Sequence, residues 1–439
     1  MVLKSRIAII ICIDLLWALN LGVLALVLPL YITSLGGSAT QWGLLSGAFG
    51  FAMVFAESAW GWVSDKIGIA VPFVISRFAS ALLLPIYALT GNIGMLFAVQ
   101  IARGAVEVVI GPLSRKALAH SFLERKGMGV GLFQACSPIG TGIGSLLGGY
   151  MIDRWSYLQI FVFCSGLSLL SLLIAVINRA RLDSTDESFA PLSNSMRSEA
   201  SGTANAAQDD SSYLAFFVLA LIAVFLLFGV GVTRNFVPLL GSSVVGLPSS
   251  EVALLLTISG MGSGLLTIYM GKVSDRLGRK PLIIGGFLLL SISLFGYGFS
   301  TGFVDMAIVT LISSVGVSAA VPAAVALVSD ITPSSRQGQM IGLYGSCEDV
   351  GFMIGPLLCG FIWDAHSPRL AFIVCSLITS IGIVLVSTTL KRVIRPDQKR
   401  PKCVEGACDQ RFQPFDPAQS AQNAKTDAIG NSRCCSFER

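Results

Sequence analysis

The chain has 439 residues, 54% of them hydrophobic and only 13% charged, with 30 Lys and Arg against 25 Asp and Glu for a net charge of +5. Soluble domains carry about 25% charged residues, so this composition excludes an ordinary water-soluble enzyme or binding module and makes lipid part of the solvent. The charge total excludes little; its distribution along the chain carries the topology.

Apolar stretches recur near residues 7–31, 41–60, 71–90, 93–114, 127–150, 157–178, 213–236, 251–270, 281–299, 304–328, 338–362 and 370–390. Each is close to the roughly 20 residues that a membrane-crossing helix needs. The expected fold is an all-α integral membrane protein with 12 transmembrane helices in two six-helix bundles, 1–179 and 213–390. A polar linker, 180–212, joins the bundles, and a basic tail containing cysteines, 391–439, follows them; both read as unstructured cytoplasmic segments. The first stretch is too long for a signal-peptide core and no clear small-residue cleavage site follows it, so it reads as a retained helix. If both termini are cytoplasmic, the only Lys and Arg outside cytoplasmic loops and tails are Arg77, Arg103, Arg154, Arg234 and Arg369, as the positive-inside rule requires. Clusters such as Arg115, Lys116, Arg125 and Lys126 are then topological signals, and no nucleic-acid partner is expected.

Cys12, Cys136, Cys164, Cys347, Cys359 and Cys375 fall in the apolar stretches, where a small apolar role is the default. Cys403, Cys408, Cys434 and Cys435 lie in the tail. They lack the histidine and paired Cys-x-x-Cys context of a zinc site, and a cytoplasmic tail does not favour disulfides. No metal is expected. The sequence also lacks a phosphate-binding loop of G-x-x-x-x-G-K-[ST] type, which argues against direct ATP drive, and no catalytic triad suggests an enzyme.

The two halves repeat each other. Arg125, Gly127, Gly131, Cys136, Gly140, Gly144, Gly149 and Asp153 recur 211 positions later as Arg336, Gly338, Gly342, Cys347, Gly351, Gly355, Gly360 and Asp364. The loop Gly271-Lys272-Val273-Ser274-Asp275-Arg276-Leu277-Gly278-Arg279-Lys280 has a partial copy in Gly61, Asp65 and Gly68, 210 positions earlier, where Ile69 and Ala70 replace the basic pair. Internal repeats of this kind typify secondary transporters, with the binding site at the repeat interface near midplane.

On these residues the chain resembles the major facilitator superfamily. The later loop fits that superfamily's signature G-x-x-x-D-[RK]-x-G-R-[RK] at every position. The resemblance implies that Asp65 faces the start of the eleventh helix and Asp275 the start of the fifth, holding an outward-facing state. Gly131, Gly140, Gly144, Gly148 and Gly149 are similar to the family's antiporter motif, G-x8-G-x3-G-P-x2-G-G, with Ser145 in place of the proline. Gly342, Gly351, Gly355, Pro356 and Gly360 repeat the pattern, and Cys359 replaces one glycine. Glycines let helices approach closely, and a proline bends them. Arg103 followed by Pro112 looks like the family's fourth-helix arginine motif, with Glu107 where a glycine is usual.

Arg103 and Glu107 are four apart and share a helix face, so they can pair with each other or exchange a proton. Asp14 in the first helix is a second candidate proton or cation site, because the resemblance implies that the first, fourth, seventh and tenth helices line the cavity. Glu348 and Asp349 point about 100° apart, so one of them is expected at the cavity or domain interface. Glu57 and Arg77 read as structural, and Arg234 with Asn235 reads as an outer gate at the end of the seventh helix.

The resulting expectation is a transporter in a plasma membrane, both termini cytoplasmic, with small molecules, protons and lipid as partners and no obligate protein partner or cofactor. The proton gradient supplies its energy. The preferred mode is proton-coupled antiport exporting a small lipophilic or cationic compound. Symport or facilitated passage of a metabolite, and a non-transporting sensor of the same fold, stay open.

Overall fold

The computed structural model describes residues 2–111, 126–183, 209–332 and 337–393. Among the described residues all regular structure is helical, and twelve helices are long: α1 (Val2–Ser34), α2 (Ala39–Ile67), α3 (Ala70–Leu89), α4 (Ile93–Glu107), α5 (Lys126–Ile152), α6 (Tyr157–Ile177), α7 (Asp209–Leu239), α8 (Ser249–Leu277), α9 (Arg279–Tyr297), α10 (Phe303–Ile331), α11 (Gln337–Ala365) and α12 (Pro368–Val393). All except α4 and α5 are long and apolar enough over their described residues to cross a membrane. The linker from 184 to 208, the tail from 394 and Pro112 lie outside the described residues.

Local sequence explains the helix ends. Ser38 and Ser156 open α2 and α6 with capping boxes, each paired reciprocally with the glutamine three residues on, Gln41 and Gln159, which satisfies two otherwise orphaned N–H groups. Gly68 and Gly278 end α2 and α8 at φ 82° and 88°, a region that favours glycine, so the last glycine of each loop copy is a backbone requirement. In the second copy Arg279 donates to Ser274 Oγ at 2.8 Å and to Asp330 Oδ2 at 3.2 Å, and Lys280 donates to the Ser387 carbonyl at 3.2 Å. The first copy has Ile69 and Ala70 in place of this basic pair. Ile69 and Ala70 are buried in one apolar cluster with Ile10, Ile13 and Phe73. The side chains of Asp65 and Asp275 lie outside the described residues.

Packing follows the repeat. On α5, Gly140 and Gly144 face α1: a Cβ at Gly144 would lie 2.1 Å from the Leu19 carbonyl oxygen. On α11, Gly351 and Gly355 face α7: a Cβ at Gly351 would lie 2.2 Å from the Val224 carbonyl oxygen. Backbone contact this close admits no side chain. Gly144→Val is therefore expected to cost at least the ~1–3 kcal/mol typical of overpacking, seen as loss of monodisperse protein on size-exclusion chromatography. The other faces of α5 and α11 reach across to the opposite half. Gly149 meets Ala253 and Gly142 meets Met261 on α8, while Gly360 meets Ala39 and the Pro356 carbonyl meets Gly43 on α2. Gly131 falls where side-chain surroundings are not described.

Among the described residues, those cross-half seams close at one end and open at the other. Gly43 and Gly61 are 18 residues apart, five turns at about 3.6 residues per turn, and so share one face of α2. Gly43 touches α11, whereas Gly61 has nothing among the described residues within 4 Å of its Cβ position. Gly360 and Gly342, also 18 apart on α11, behave alike: Gly360 is packed, and Gly342 is open. On α8, Gly260 abuts Pro138 and Gly142 of α5, while Gly271, about three turns on, is open. Gly61, Gly271 and Gly342 thus depart from the close-approach role of the packed glycines. The two halves meet on the side where α2 begins and diverge toward the side where α1 begins and α12 ends.

Candidate functional site

Between the diverging halves lies a cavity of about 250 Å³. Its walls are mostly apolar, including Trp17, Leu24, Phe49 and Phe352, and its polar lining comprises Trp42, Ser46, Gln100, Arg103, Glu107, Arg234, Asn235, Glu348 and Asp349. Four helices, α1, α4, α7 and α11, bring these groups together, and α2 adds Trp42, Ser46 and Phe49.

Arg103 and Glu107 form a two-pronged pair, with Nε to Oε1 at 2.9 Å and an Nη to Oε2 at 3.1 Å. The Phe49 ring lies under the guanidinium at 5.1 Å. Tyr87 hydrogen-bonds Gln100 beside the pair, and Ser80 Oγ approaches Glu107 at 3.5 Å. The cluster has one further member, which the sequence offers only in a structural role. Arg77 of α3 is 1% exposed, as is Asp14, against 3% for Arg103 and 2% for Glu107, and Arg77 lies within electrostatic reach of Glu107, Arg103 and Asp14. Its Nη2 donates to Ser76 Oγ at 2.9 Å, and its Nε has no hydrogen-bond partner among the described residues. Two guanidinium groups and two carboxylates therefore share one buried cluster, neutral when all four are ionised. A charge near the bilayer centre costs ~2.5–3.5 kcal/mol on insertion scales, and mutual compensation is what allows four.

The structure redistributes the expected roles. Asp14 is buried and is not among the residues that line the cavity. Glu348 and Asp349 both line the cavity, although consecutive helical residues diverge by about 100°; the cavity spans enough of α11 to receive both. Arg77, read as structural, lies in the charged cluster with Glu107, Arg103 and Asp14. Arg234 is not at the end of its helix, because α7 continues to Leu239 and then as a π-helical turn through Leu240–Val245. Its side chain is exposed and lines the cavity. Among the described residues, groups of His, Cys, Asp and Glu able to hold a metal ion are absent.

Asn235 holds the closed seam. Its carbonyl accepts from Trp42 Nε1 at 2.9 Å and its Oδ1 accepts from Ser46 Oγ at 3.0 Å, both across the halves. Asp364, visible in the sequence only as a repeat partner of Asp153, adds a tie. Its Oδ2 accepts from the Thr40 backbone N–H at 2.7 Å, placing a carboxylate on the N-terminus of α2, where the helix dipole favours it. Thr257 Oγ1 of α8 donates to the Gly142 carbonyl of α5 at 3.0 Å. Because Asp364 is exposed, its tie is screened. Asp364→Ala is expected to weaken the closed seam by ~1 kcal/mol. That shifts the ratio of open to closed seams about fivefold, measured as the distance distribution between spin labels on the α1–α2 and α11–α12 loops. An unchanged distribution would remove Asp364 from the seam.

Comparison with known proteins agrees with this architecture. The chain is 22% identical to quinolone resistance protein NorA of Staphylococcus aureus over 88% of its own length and 95% of the relative's. It is 22% identical to a protein of Lactococcus lactis named as a multi-drug resistance efflux pump PmrA homolog, over 84% and 90% of the two chains. It is 25% identical to an uncharacterized MFS-type transporter of Methanocaldococcus jannaschii, over 79% and 88%. Among solved structures, a bacterial homolog of the human lysosomal transporter Spinster, in an inward-facing and unoccupied conformation, superposes with a TM-score of 0.72 at 13% identity, covering 90% of this chain and 99% of that one. The family description of the Major Facilitator Superfamily matches residues 10–247 and 219–416. The chain is a multi-pass integral membrane transporter, not an enzyme, and it belongs to the Major Facilitator Superfamily.

Proposed function

We propose that this transporter is a proton-coupled antiporter that exports a small, largely apolar compound by alternating access, from a plasma membrane in which both termini are cytoplasmic. The observation that carries the reading is the Arg103–Glu107 pair, buried in the cavity wall with Arg77 behind it. Protonating Glu107 releases Arg103 and leaves the cluster with one uncompensated positive charge. Removing an ion from a buried pair is strongly unfavourable, so uptake of a proton presses the cluster to rearrange. The halves already part on one side and seal on the other, the geometry that alternating access requires. The similarity to a quinolone resistance protein and to a multi-drug resistance efflux pump homolog supports efflux of drug-like compounds as the direction and substrate class.

The test is reconstitution in liposomes with an imposed pH gradient and a panel of lipophilic cations, neutral drugs and organic anions. Proton movement opposite to a transported compound is the expected result. Flux in the same direction as protons, or flux indifferent to the gradient, would overturn antiport in favour of symport or facilitation. Binding without flux would make the protein a sensor.

A further inference from the structure

We infer that the transported compound carries an anionic head group, of carboxylate or sulfonate class, which pairs with Arg234 inside a second, hydroxyl-lined cavity. The inference rests on the export reading for its direction and adds the chemistry of the cargo. A cavity of about 170 Å³ lies among α5, α7, α8 and α10 and shares Arg234 and Ala25 with the first one. Neither space alone reaches the roughly 300–1,000 Å³ usual for a drug-sized ligand, so such a ligand must straddle Arg234.

The two spaces differ in chemistry. The first is apolar apart from its charged groups, which include Glu107, Glu348 and Asp349. Among the described residues, the lining of the second has no carboxylate, and Arg234 is its one charged residue. Arg234 makes no hydrogen bond or ion pair among the described residues. An unpaired guanidinium inside the membrane is costly unless it faces water or a counter-ion, and this one faces the shared space. Most hydroxyls of the second cavity already spend their protons on helix carbonyls: Thr141 on Pro138, Ser263 on Ser259, and Ser314 on Thr310. Three do not. Ser137, Ser259 and Ser313 donate to no partner among the described residues, and they line the same space as Arg234. One cation with three free hydroxyl donors, in a space whose described lining holds no carboxylate, is a receptor for an anion. The apolar wall of Trp17, Leu24 and Phe49 takes the body of the molecule.

The test is equilibrium binding of radiolabelled 1-naphthoate and of 1-naphthamide to the purified full chain in detergent. The two probes share ring and size and differ in charge. Hydrogen bonds to a charged group are worth enough to predict at least a tenfold preference for the carboxylate. Arg234→Gln is expected to abolish that preference and leave amide binding within about twofold. Arg234→Lys keeps the charge but not the two-pronged geometry; it should retain part of the preference and serves if the glutamine variant does not fold. Equal binding of the two probes, a preference that survives Arg234→Gln, or no binding of either would overturn the inference. No gradient or flux enters this assay. A failed antiport measurement with the preference intact would remove the export reading and leave the anion site standing.

Discussion

Glu107→Gln is expected to abolish gradient-driven transport while substrate exchange without a gradient continues. Glutamine keeps the volume and one acceptor for Arg103 but cannot gain or lose the proton. It also leaves Arg77 and Arg103 facing Asp14 alone, imitating the protonated cluster permanently. Breaking a buried ion pair by removing one partner typically costs ~3–5 kcal/mol, so Glu107→Ala should express poorly. Replacing both partners, Arg103→Met with Glu107→Leu, should restore folding, because apolar groups of similar volume are often neutral or stabilising in place of a buried pair, and the Arg77–Asp14 charges still balance. The double variant then separates two roles that a single substitution confounds. Normal folding with no coupling assigns the proton to Glu107. Gradient-driven flux that survives in the double variant would confine the pair to a structural role and move coupling to Glu348, Asp349 or Asp14. The readout is substrate flux in proteoliposomes with and without a pH gradient, beside thermal stability in detergent.

The parts of this site that were legible in sequence are those that lie close together on one helix or repeat between the halves. Arg103 and Glu107 announce each other by four-residue spacing, and the paired glycines of α5 and α11 announce the seams by their fixed register. The composition of the apolar stretches was enough for the helices themselves. Arg77 was illegible because its partners sit on α1 and α4 and only packing places α3 beside them. The hydroxyl-lined cavity was illegible for the same reason: its serines and threonines are scattered over four helices, and each looks like an ordinary intrahelical donor until the helices are assembled. Asp364 was half legible. The repeat marked its position, but nothing local says that its carboxylate reaches the N-terminus of α2. The capping boxes at Ser38 and Ser156 were readable and went unread. Arg234 shows the opposite failure: the apolar stretch ends near 236 in the sequence, whereas the helical span runs on to Val245.

Gly342→Leu is expected to raise or preserve stability and yet lower transport by roughly 5- to 150-fold. The two effects come from two conformations. Among the described residues, nothing lies within 4 Å of a Cβ at Gly342 or Gly61, so a side chain there starts into open space, and exchanging glycine in a helix interior for a better helix former gains up to ~1 kcal/mol. Alternating access requires a second conformation in which the open side closes. Gly61 and Gly342 occupy the same faces of α2 and α11 as Gly43 and Gly360, which touch the partner helix directly at the sealed end. If closure at the open side follows the same pattern, a leucine there overpacks the new seam. Overpacking costs ~1–3 kcal/mol, which lowers the population of the closed-over state by about 5- to 150-fold and slows the cycle accordingly. Gly360→Leu should act in reverse. A Cβ there would lie 2.4 Å from the Ala39 carbonyl oxygen, so that variant disfavours the observed conformation and loses stability as well as flux. Measured side by side, wild-type flux from Gly342→Leu would show that these faces do not meet in the cycle, and a stability loss equal to that of Gly360→Leu would show that Gly342 is packed after all.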